Sequence, residues 1–308
     1  MNTQSNGVSA SSVQSQVITP PAFSTARALY WSIRREIWEN RSIYIAPLAA
    51  AALFLIGFAI NLLAMRRHLA ASSLGPAQQH ELFTSRFEIA ASLIMGTGLI
   101  VGVFYTLDAL YGERRDRSIL FWKSLPVSDV ITVLSKLAIP LVILPAVSFA
   151  ITLVTQFAML VLGSVILLGS GLNIGSLWTE ISFFQVSLVL LYHFVTVHGL
   201  YYAPIYGWLL MVSAWAPRAP FIWAFLPPFV ICALEKVAFN TSYFLALLKE
   251  RLMGGPESSM AANDHAKDWM GTLIPHHFFS TPGLWTGFAL AAVFLFVAVR
   301  LRRYRGPI

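Results

Sequence analysis

Two histidines within one apolar stretch are the side chains best suited to bind a metal ion. His193 and His198 are five positions apart, which places them about 140° apart around an α-helix. A helical zinc pair has its two ligands at i and i+4, on one face. The adjacent His276 and His277 lie in a polar segment without that spacing. We therefore predict no metal site on this chain.

Motifs for covalent or phosphate chemistry are absent from the sequence. It contains neither the G-x-S-x-G elbow of serine hydrolases nor a G-x-x-x-x-G-K-[ST] phosphate loop. Without the backbone amides and the lysine of that loop, this polypeptide cannot hydrolyse ATP by that route. We predict that the chain is not an enzyme and carries no cofactor of its own.

Polar side chains are concentrated in the apolar stretch that holds the two histidines. They are Tyr192, His193, Thr196, His198, Tyr201, Tyr202 and Tyr206. Polar groups in lipid must find partners or line a cavity. One interpretation is a path for an amphipathic or lipid-like substrate, lined by Tyr192, His193, Thr196, Tyr201 and Tyr202. The other, which we prefer, is a set of hydrogen bonds between helices.

Two adjacent charges, Glu235 and Lys236, interrupt another apolar stretch. Neighbouring positions point about 100° apart on a helix, so the two side chains cannot form an ideal helical ion pair. Ionisable residues inside a membrane are candidates for function. The alternative, which we prefer, is that both side chains reach towards the outer headgroups.

The composition indicates the scaffold that must position these side chains. Of 308 residues, 57% are hydrophobic and 11% are charged, and the mean hydropathy is +0.68. This is too little polar surface for a soluble globule. The single cysteine, Cys232, excludes an internal disulfide framework. The net charge of +7 comes from clusters beside apolar runs, which favours a membrane and not nucleic acid as the partner.

Apolar runs of about 20 residues predict an all-α integral membrane protein with six transmembrane helices. The predicted spans are 43–65, 89–107, a long third helix from about Val130 to a crest at Gly163, Gly169, Gly171 and Gly175, 181–214 bent near Pro204, 219–238 kinked at Pro227 and Pro228, and 282–299. Because the third run and the stretch after Glu235 are ambiguous, four-span and eight-span arrangements are the alternatives.

The basic residues predict the orientation of the chain. Six spans place fourteen of them on the side of the termini and six on the other. The positive-inside rule then puts both termini in the cytoplasm, and we predict a bacterial inner (cytoplasmic) membrane. Residues 1–23 are rich in Ser, Gln and Asn and lack Lys and Arg, so we predict a disordered cytoplasmic tail and no signal peptide.

Two further segments are helical in pattern but are not predicted spans. Residues 24–42 begin with Ser24, a candidate helix cap, and carry Trp31 and Trp38, which suit the headgroup level. We predict an interfacial helix there, with the start of a long first span as the alternative. Residues 235–281 are predicted to hold a re-entrant or interfacial helix on the outer face, followed by a polar loop.

The segment between spans two and three, "ERRDRSILFWKSLPVSD", is the large loop on the side of the termini. Its charges nearly cancel, so it is not a polybasic lipid anchor. Aromatic anchors with a charged rim indicate a protein contact, and Ser128 is a candidate cap for span three. An aromatic belt at the headgroups is the alternative. The candidate docking residues are Glu113, Arg114, Arg115, Asp116, Arg117, Ser118, Ile119, Leu120, Phe121, Trp122, Lys123 and Pro126.

This segment resembles the signature region of type-2 ABC exporter permeases, in which a glutamate opens a cytoplasmic coupling helix. The family pattern continues with Leu-x-x-x-Pro-Val-Ser and a lysine inside the next span. The matching positions are Glu113, Ser118, Leu125, Pro126, Val127, Ser128 and Lys136. The sequence departs from the pattern at Arg117-Ser118, where Gly-Thr is common.

The resemblance implies a fold, a function and partners. It implies an interface helix, six spans, a coupling helix at about 113–126 and a re-entrant element before the last span. The permease would form a homodimer or heterodimer, and each subunit would dock a cytoplasmic ABC ATPase, which holds the ATP and magnesium. The alternatives are an ion-gradient-driven secondary transporter or channel, for which Glu235 is the one candidate acid, and a non-transporting sensor or immunity protein.

Overall fold

Most residues in the described part of the chain are helical. The computed structural model describes residues 24–69, 76–125, 127–167, 183–252 and 279–308. The helices are α1 (Thr25–Glu39), α2 (Ser42–Leu69), α3 (Pro76–Ala109), α4 (Tyr111–Arg115), α5 (Ile119–Ser124), α6 (Asp129–Ala138), the π-helical segment π1 (Ile139–Ile143), α7 (Leu144–Leu167), α8 (Phe183–His193), the π-helical segment π2 (Phe194–Tyr201), α9 (Ala203–Trp215), α10 (Pro220–Phe239), α11 (Tyr243–Leu252) and α12 (Pro282–Tyr304).

The described helices define a multi-span, all-helical membrane protein. Five of them, counting α6, π1 and α7 as one, are long and apolar enough to cross a membrane. A sixth span results if α8 with π2 and α9 are counted together, since they pass the same test as a pair bent by 42°. The break falls at Tyr202, so the bend predicted near Pro204 is confirmed.

The third span is continuous and contains a π-helical segment around a proline. Asp129–Ile166 forms one candidate span, and Pro140 lies inside π1. Proline has no backbone N–H to donate, and a π-turn is one of the ways in which a helix absorbs such a defect. The sequence predicted a crest at the end of the third span that includes Gly163. This prediction is wrong for Gly163, which lies within α7. Gly169, Gly171 and Gly175 lie outside the described residues.

Apolar side chains cover the outside of the bundle as well as its core. Leu53, Val154 and Phe229 are each about 70% exposed, as expected for surfaces solvated by lipid. In one part of the core, α2, α3 and α7 pack together. In another, α9 packs along α12, and a Cβ added at Gly207 would lie 3.4 Å from the backbone of Ala291.

The N-terminal helix is separate from the first span. Ser24 Oγ accepts a hydrogen bond from Arg27 N at 3.3 Å, which confirms the predicted cap. The helix ends at Asn40, and α2 begins at Ser42. α1 packs against α6 at the start of the third span. That α1 lies at the membrane interface stays a prediction, as does the tail at 1–23, which lies outside the described residues.

Candidate functional site

Six charged side chains meet between α1, α4, α6 and α12. They are Arg35, Glu36, Glu113, Asp129, Lys136 and Arg302, and we call them the charge cluster. Three are cationic and three are anionic, so their formal charges cancel. Glu36, Lys136 and Arg302 are no more than 3% exposed. Buried charges in proteins need paired and hydrogen-bonded partners. Each of the six is in an ion pair, whereas Arg35 Nε and Glu113 Oε1 are buried without a hydrogen bond among the described residues.

Lys136 lies at the centre of the charge cluster. Its Nζ is 2.9 Å from Glu36 Oε1 and 3.2 Å from Glu113 Oε1. One ammonium group thus joins the N-terminal helix to α4, and the lysine itself belongs to the third span. Glu113 and Lys136 are the two charged positions that matched the permease pattern, and here they contact each other.

Arg302 completes the charge cluster from the last helix. Its guanidinium pairs with Glu113 Oε2, and its Nε donates to Asp129 Oδ1 at 3.1 Å. Glu113 is therefore held by a cation from the third span and by another from α12. A force applied to α4 would act on both of these helices through a single carboxylate.

Glu36 accepts three hydrogen bonds from different parts of the structure. Arg35 Nη2, Lys136 Nζ and Tyr105 Oη donate to it at 2.6, 2.9 and 2.9 Å. Burial raises the pKa of this carboxyl, but Lys136 and Arg35 outweigh burial and hold the pKa below its ordinary value of 4.5. The side chain is therefore an anion at neutral pH.

The predicted coupling helix consists of two short helices with a sharp turn between them. α4 ends at Arg115, α5 starts at Ile119, and Arg117 between them has a φ of 59°. That is the left-handed region, which glycine adopts without steric cost. The sequence departs from the permease pattern at this position, where glycine is common, yet the backbone has the conformation that glycine favours.

The apolar side chains of α5 divide between the interior and the surface. Ile119 is 1% exposed, whereas Leu120 and Phe121 are each 60% exposed and Leu125 is 37% exposed. Trp122 lies under the Arg35 guanidinium, 3.7 Å from the ring centroid. The prediction that Ile119 to Trp122 all face a partner is therefore wrong for Ile119, because that side chain packs inside this chain. Leu120, Phe121 and Leu125 remain as the outer surface of α5.

An apolar groove of about 310 Å³ runs beside this outer surface. Trp31 of α1, Trp122 and Leu125 line one part of it, and Val127 and Thr132 line another. It extends the surface of Leu120 and Phe121 towards α1. An aromatic floor with exposed aliphatic neighbours is the usual centre of a protein contact.

The charged residues of the predicted rim have different positions. Glu113 is in the charge cluster, and Arg114 is buried, with Nη1 donating to the carbonyls of Ala214 and Ala216 at 2.7 and 3.2 Å. These two residues brace α4 against the bundle and are not rim residues. Arg115, Asp116, Arg117 and Lys123 are exposed. Pro126 lies outside the described residues.

The C-terminal residues pack against the same region. The Ile308 amide donates to the Arg114 carbonyl at 3.2 Å, and Lys123 Nζ donates to the Arg303 carbonyl at 3.3 Å. Ser213 Oγ accepts from the amides of Leu110 and Tyr111 at 3.0 and 2.9 Å. α4 and α5 are thus fixed to α9 and to the end of α12. Ser128 Oγ accepts from Ile131 N at 3.3 Å, which confirms the predicted cap of span three.

His193 and His198, in the predicted fourth span, lie closer together than the sequence predicted. Their ring centroids are 5.9 Å apart, because the chain from Phe194 to Tyr201 is π-helical. A π-helix is built on i→i+5 hydrogen bonds, so it aligns residues five apart. The inference that His193 and His198 face different directions is therefore wrong. Within the described residues, no group of three or more His, Cys, Asp or Glu side chains is placed to hold a metal ion. His276 and His277 lie outside those residues.

The predicted path residues mostly bond within the bundle. Thr196 Oγ1 donates to the Tyr192 carbonyl at 2.7 Å, and Tyr202 Oη donates to the Leu252 carbonyl at 2.7 Å. The Tyr201 ring lies 4.1 Å from the Arg251 guanidinium. Arg251 Nη2 also donates to the Gly283 carbonyl at 2.6 Å. The contacts of Leu252 and Arg251 fix α11 against π2 and α12, in keeping with the preferred interpretation of hydrogen bonds between helices, whereas the Thr196 bond lies within one helical stretch.

Glu235 acts as a helix cap in the structure. Its carboxylate accepts from Thr241 Oγ1 at 2.9 Å and from the amides of Tyr243 and Phe244 at 2.6 and 2.9 Å. Those amides open α11, where a carboxylate satisfies otherwise unpaired donors. Glu235 therefore joins α10 to α11, while Lys236 is exposed. The region predicted from 235 begins as a separate helix only at Tyr243, and 253–278 lies outside the described residues.

Sequence reasoning missed Arg35, Glu36, Asp129 and Arg302 as members of the site. The signal for Glu36 was its position on α1 with Ile33 and Ile37, because an acid on an apolar face needs a buried partner. Nothing in the sequence around Arg302 indicates a buried ion pair, because it is one of several basic residues that follow the last predicted span.

Comparisons with known proteins gave no match to a family model, to a curated protein or to a solved structure.

Proposed function

We propose that this chain is the membrane subunit of an ATP-driven exporter of the type-2 ABC permease class. A separate cytoplasmic ATPase, which binds ATP and magnesium, docks on Leu120, Phe121 and Leu125. ATP-driven movement of that partner displaces α5 and α4. The charge cluster transmits the displacement to the third span and the last span, and the substrate moves across the membrane as these helices shift.

The contact between Glu113 and Lys136 is the observation that carries this proposal. The two residues are 23 positions apart in the sequence, and their charged atoms lie 3.2 Å apart. The surface helix α5 is adjacent to α4, and α4 is joined to the third span and to α12 through Glu113. If α4 moved alone, these buried ion pairs would break, so we expect α4 and the two membrane helices to move together. An exposed helix without such bonds would dock a partner without moving the bundle.

The turn at Arg117 gives independent support for the resemblance. Its positive φ of 59° reproduces the backbone that a glycine at this position would favour. The local shape is therefore compatible with the family pattern although the residue is not.

A second permease subunit is part of this proposal. Among the five candidate spans that are not a bent pair, α10 packs least against the rest of the described chain, and 6% of its most apolar stretch is buried. Its side chains Phe229 and Val237 are 69% and 85% exposed. We infer that two copies pair through this helix. It also carries Cys232, the single cysteine of the chain, so mild oxidation of the native protein would give a disulfide-linked dimer if the two helices face each other there.

Co-purification tests the proposed function. The full chain would be expressed with the ATPase encoded by a neighbouring gene and purified through a tag on the permease alone. We expect the ATPase to co-purify and to hydrolyse ATP in the complex. If no ATPase is retained, the exporter proposal is contradicted, and a transporter driven by an ion gradient becomes the better account.

A substitution in the charge cluster separates docking from coupling. Glu113→Gln leaves Leu120 and Phe121 unchanged, so we expect the ATPase to be retained while ATP no longer alters the conformation of the membrane helices. The matched control is Asp116→Gln, because Asp116 is 62% exposed and its one ion pair among the described residues is with Arg115 beside it. Unchanged ATP dependence in Glu113→Gln would contradict the role given to the charge cluster.

A further inference from the structure

The outer face of α1 carries alternating arginine and tryptophan side chains. We call Arg27, Trp31, Arg34, Trp38 and Arg41 the Arg/Trp stripe. Their spacing of four, three, four and three residues keeps the four members within α1 inside an arc of about 60°. Arg41 follows at the turn into α2. The sequence thus forms a continuous cationic and aromatic surface on one side of the helix.

Direct contacts hold this stripe together. The Arg34 guanidinium lies 5.1 Å from the Trp31 ring and 4.6 Å from the Trp38 ring. Both distances are within the range of a cation–π interaction. Trp31 and Trp38 remain 55% and 66% exposed. Arg34 is therefore oriented by its neighbours, with much of both indole rings left for a ligand.

The three arginines of the stripe lack carboxylate partners among the described residues. None of the ion pairs found there includes Arg27, Arg34 or Arg41, whereas the adjacent Arg35 pairs with both Glu36 and Glu39. Three unpaired positive charges along one helix face create a positive potential that attracts an anion.

The opposite face of α1 is already occupied by the protein. Glu36 is 2% exposed and lies about 180° from the middle of the stripe. Ile33 and Ile37 pack beside it against the core. Because this face is fixed to the third span, most of the Arg/Trp stripe faces away from the bundle, and Trp31 at its edge also lines the groove beside Trp122.

We propose that the Arg/Trp stripe is a binding site for anionic phospholipid headgroups. Guanidinium groups bind phosphate oxygens in a bidentate manner. Tryptophan rings prefer the level of the headgroups, where the indole is half buried in apolar chains. The proposal rests on the predicted position of α1 at the membrane interface, and it does not depend on an ATPase partner.

The Arg/Trp stripe lies beside the charge cluster. Arg34 is followed directly by Arg35 and Glu36, which belong to that cluster. An anionic lipid bound at Arg34 would thus lie next to the residues that join α1 to Lys136.

Lipid titration of the detergent-solubilised full chain tests the site. Phosphatidylglycerol or phosphatidylcholine with the same acyl chains is added, and bound lipid is counted by native mass spectrometry. We expect phosphatidylglycerol to bind more tightly, with an affinity that falls as salt is raised. Each change of an arginine of the stripe to glutamine should weaken the binding of phosphatidylglycerol about fivefold, the equivalent of ~1 kcal/mol per basic residue. The binding of phosphatidylcholine should not change.

The variants are chosen so that a folding defect does not imitate the effect. Arg34→Gln removes the central charge, Arg41→Gln removes one in the turn, and Arg34→Lys keeps the charge but loses the planar group. Arg218→Gln is the matched control, since Arg218 is an exposed arginine outside the stripe. We expect Arg34→Gln and Arg41→Gln to weaken phosphatidylglycerol binding and Arg218→Gln to have no effect.

Two results would overturn the proposal. One is equal affinity of the native chain for the two lipids, or an equal loss in Arg218→Gln and Arg34→Gln. The other is binding of a polyglutamate peptide through Arg34 without a preference for phosphatidylglycerol. That second result would identify the stripe as a docking surface for an acidic protein.

Discussion

Lys136 Nζ lies 2.9 Å from Glu36 Oε1, although the two residues are 100 positions apart. This ion pair fixes the N-terminal helix to the start of the third span, and Glu113 joins it from α4 at 3.2 Å. The helices at this end of the bundle are thus held by charges that lie inside the protein. Such pairs contribute little net stability over apolar residues, but the loss of one partner is costly.

Lys136→Met should destabilise the protein by about 3 kcal/mol, because it leaves two buried carboxylates short of a cation. The measurement is the free energy of unfolding in a detergent titration. Lys249→Met is the control, since Lys249 is exposed and should change the value by less than about 0.5 kcal/mol. Equal effects of the two substitutions would contradict a structural role for the buried ammonium.

Acid should weaken the fold through Glu36. Its pKa is lowered in the folded state from 4.5, so the unfolded chain takes up the proton first as the pH falls. The stabilisation is complete above about pH 5 and is lost as the pH falls below 4.5 through the folded value. The difference in unfolding free energy between the native protein and Glu36→Gln should therefore shrink on acidification.

Glu39→Gln is the control for that pH series. Glu39 also contacts Arg35, at 3.5 Å, but its side chain is 54% exposed. Exposed pairs contribute little, so its curve should follow that of the native protein. A pH-independent difference between the native protein and Glu36→Gln would mean that the carboxylate charge at Glu36 does not stabilise the fold.

Arg117→Gly should stabilise the turn between α4 and α5. A non-glycine residue at a φ of 59° is strained, and relief of that strain outweighs the backbone entropy of glycine by up to about 1 kcal/mol. Arg117→Ala is the matched control, because it removes the same side chain and keeps the Cβ. Thermal unfolding should rank Gly above Ala, and the reverse order would show that the turn is unstrained.

Gly287→Ala should loosen α11. A Cβ at Gly287 would overlap the Arg251 guanidinium, so the guanidinium must shift and its contacts with the Tyr201 ring and the Gly283 carbonyl are weakened. We expect a loss of about 1–3 kcal/mol and faster proteolysis after α11. Gly57→Ala is the control: nothing lies within 4 Å of its added Cβ, and alanine should stabilise α2 by up to about 1 kcal/mol. Equal responses at both positions would contradict the Arg251 contact.

The spans were predictable because lipid imposes a length of apolar chain. The α2, α3 and α12 helices contain the predicted runs and extend beyond them, to Tyr304 in the case of α12, since charged side chains can continue a helix outside the hydrocarbon layer. The caps at Ser24 and Ser128 were also predictable, because an N-cap depends on residues only three positions away.

Two features of the site depend on contacts that local sequence does not encode. The π-helical segment has no sequence period of its own, so five-residue spacing at His193 and His198 was taken as that of an α-helix. The partners of Glu113 lie in α6 and α12, and pairing across such distances follows from packing of the whole bundle. For the same reason the burial of Ile119 was not foreseen, since its neighbours Leu120 and Phe121 are exposed.

The dissociation constant between the purified chain and the proposed ATPase partner tests the central claim most directly. Leu120→Ala combined with Phe121→Ala should weaken binding at least about 30-fold, as expected when central apolar contacts worth ~2 kcal/mol are removed. Trp285→Ala is the control, because Trp285 is also 60% exposed but lies at the N-terminal end of α12. The α5 helix contacts the C-terminal end of α12, through Lys123 and Arg303. Weakened binding in the double variant alone is the result we predict, and an unchanged dissociation constant in that variant would contradict docking on α5.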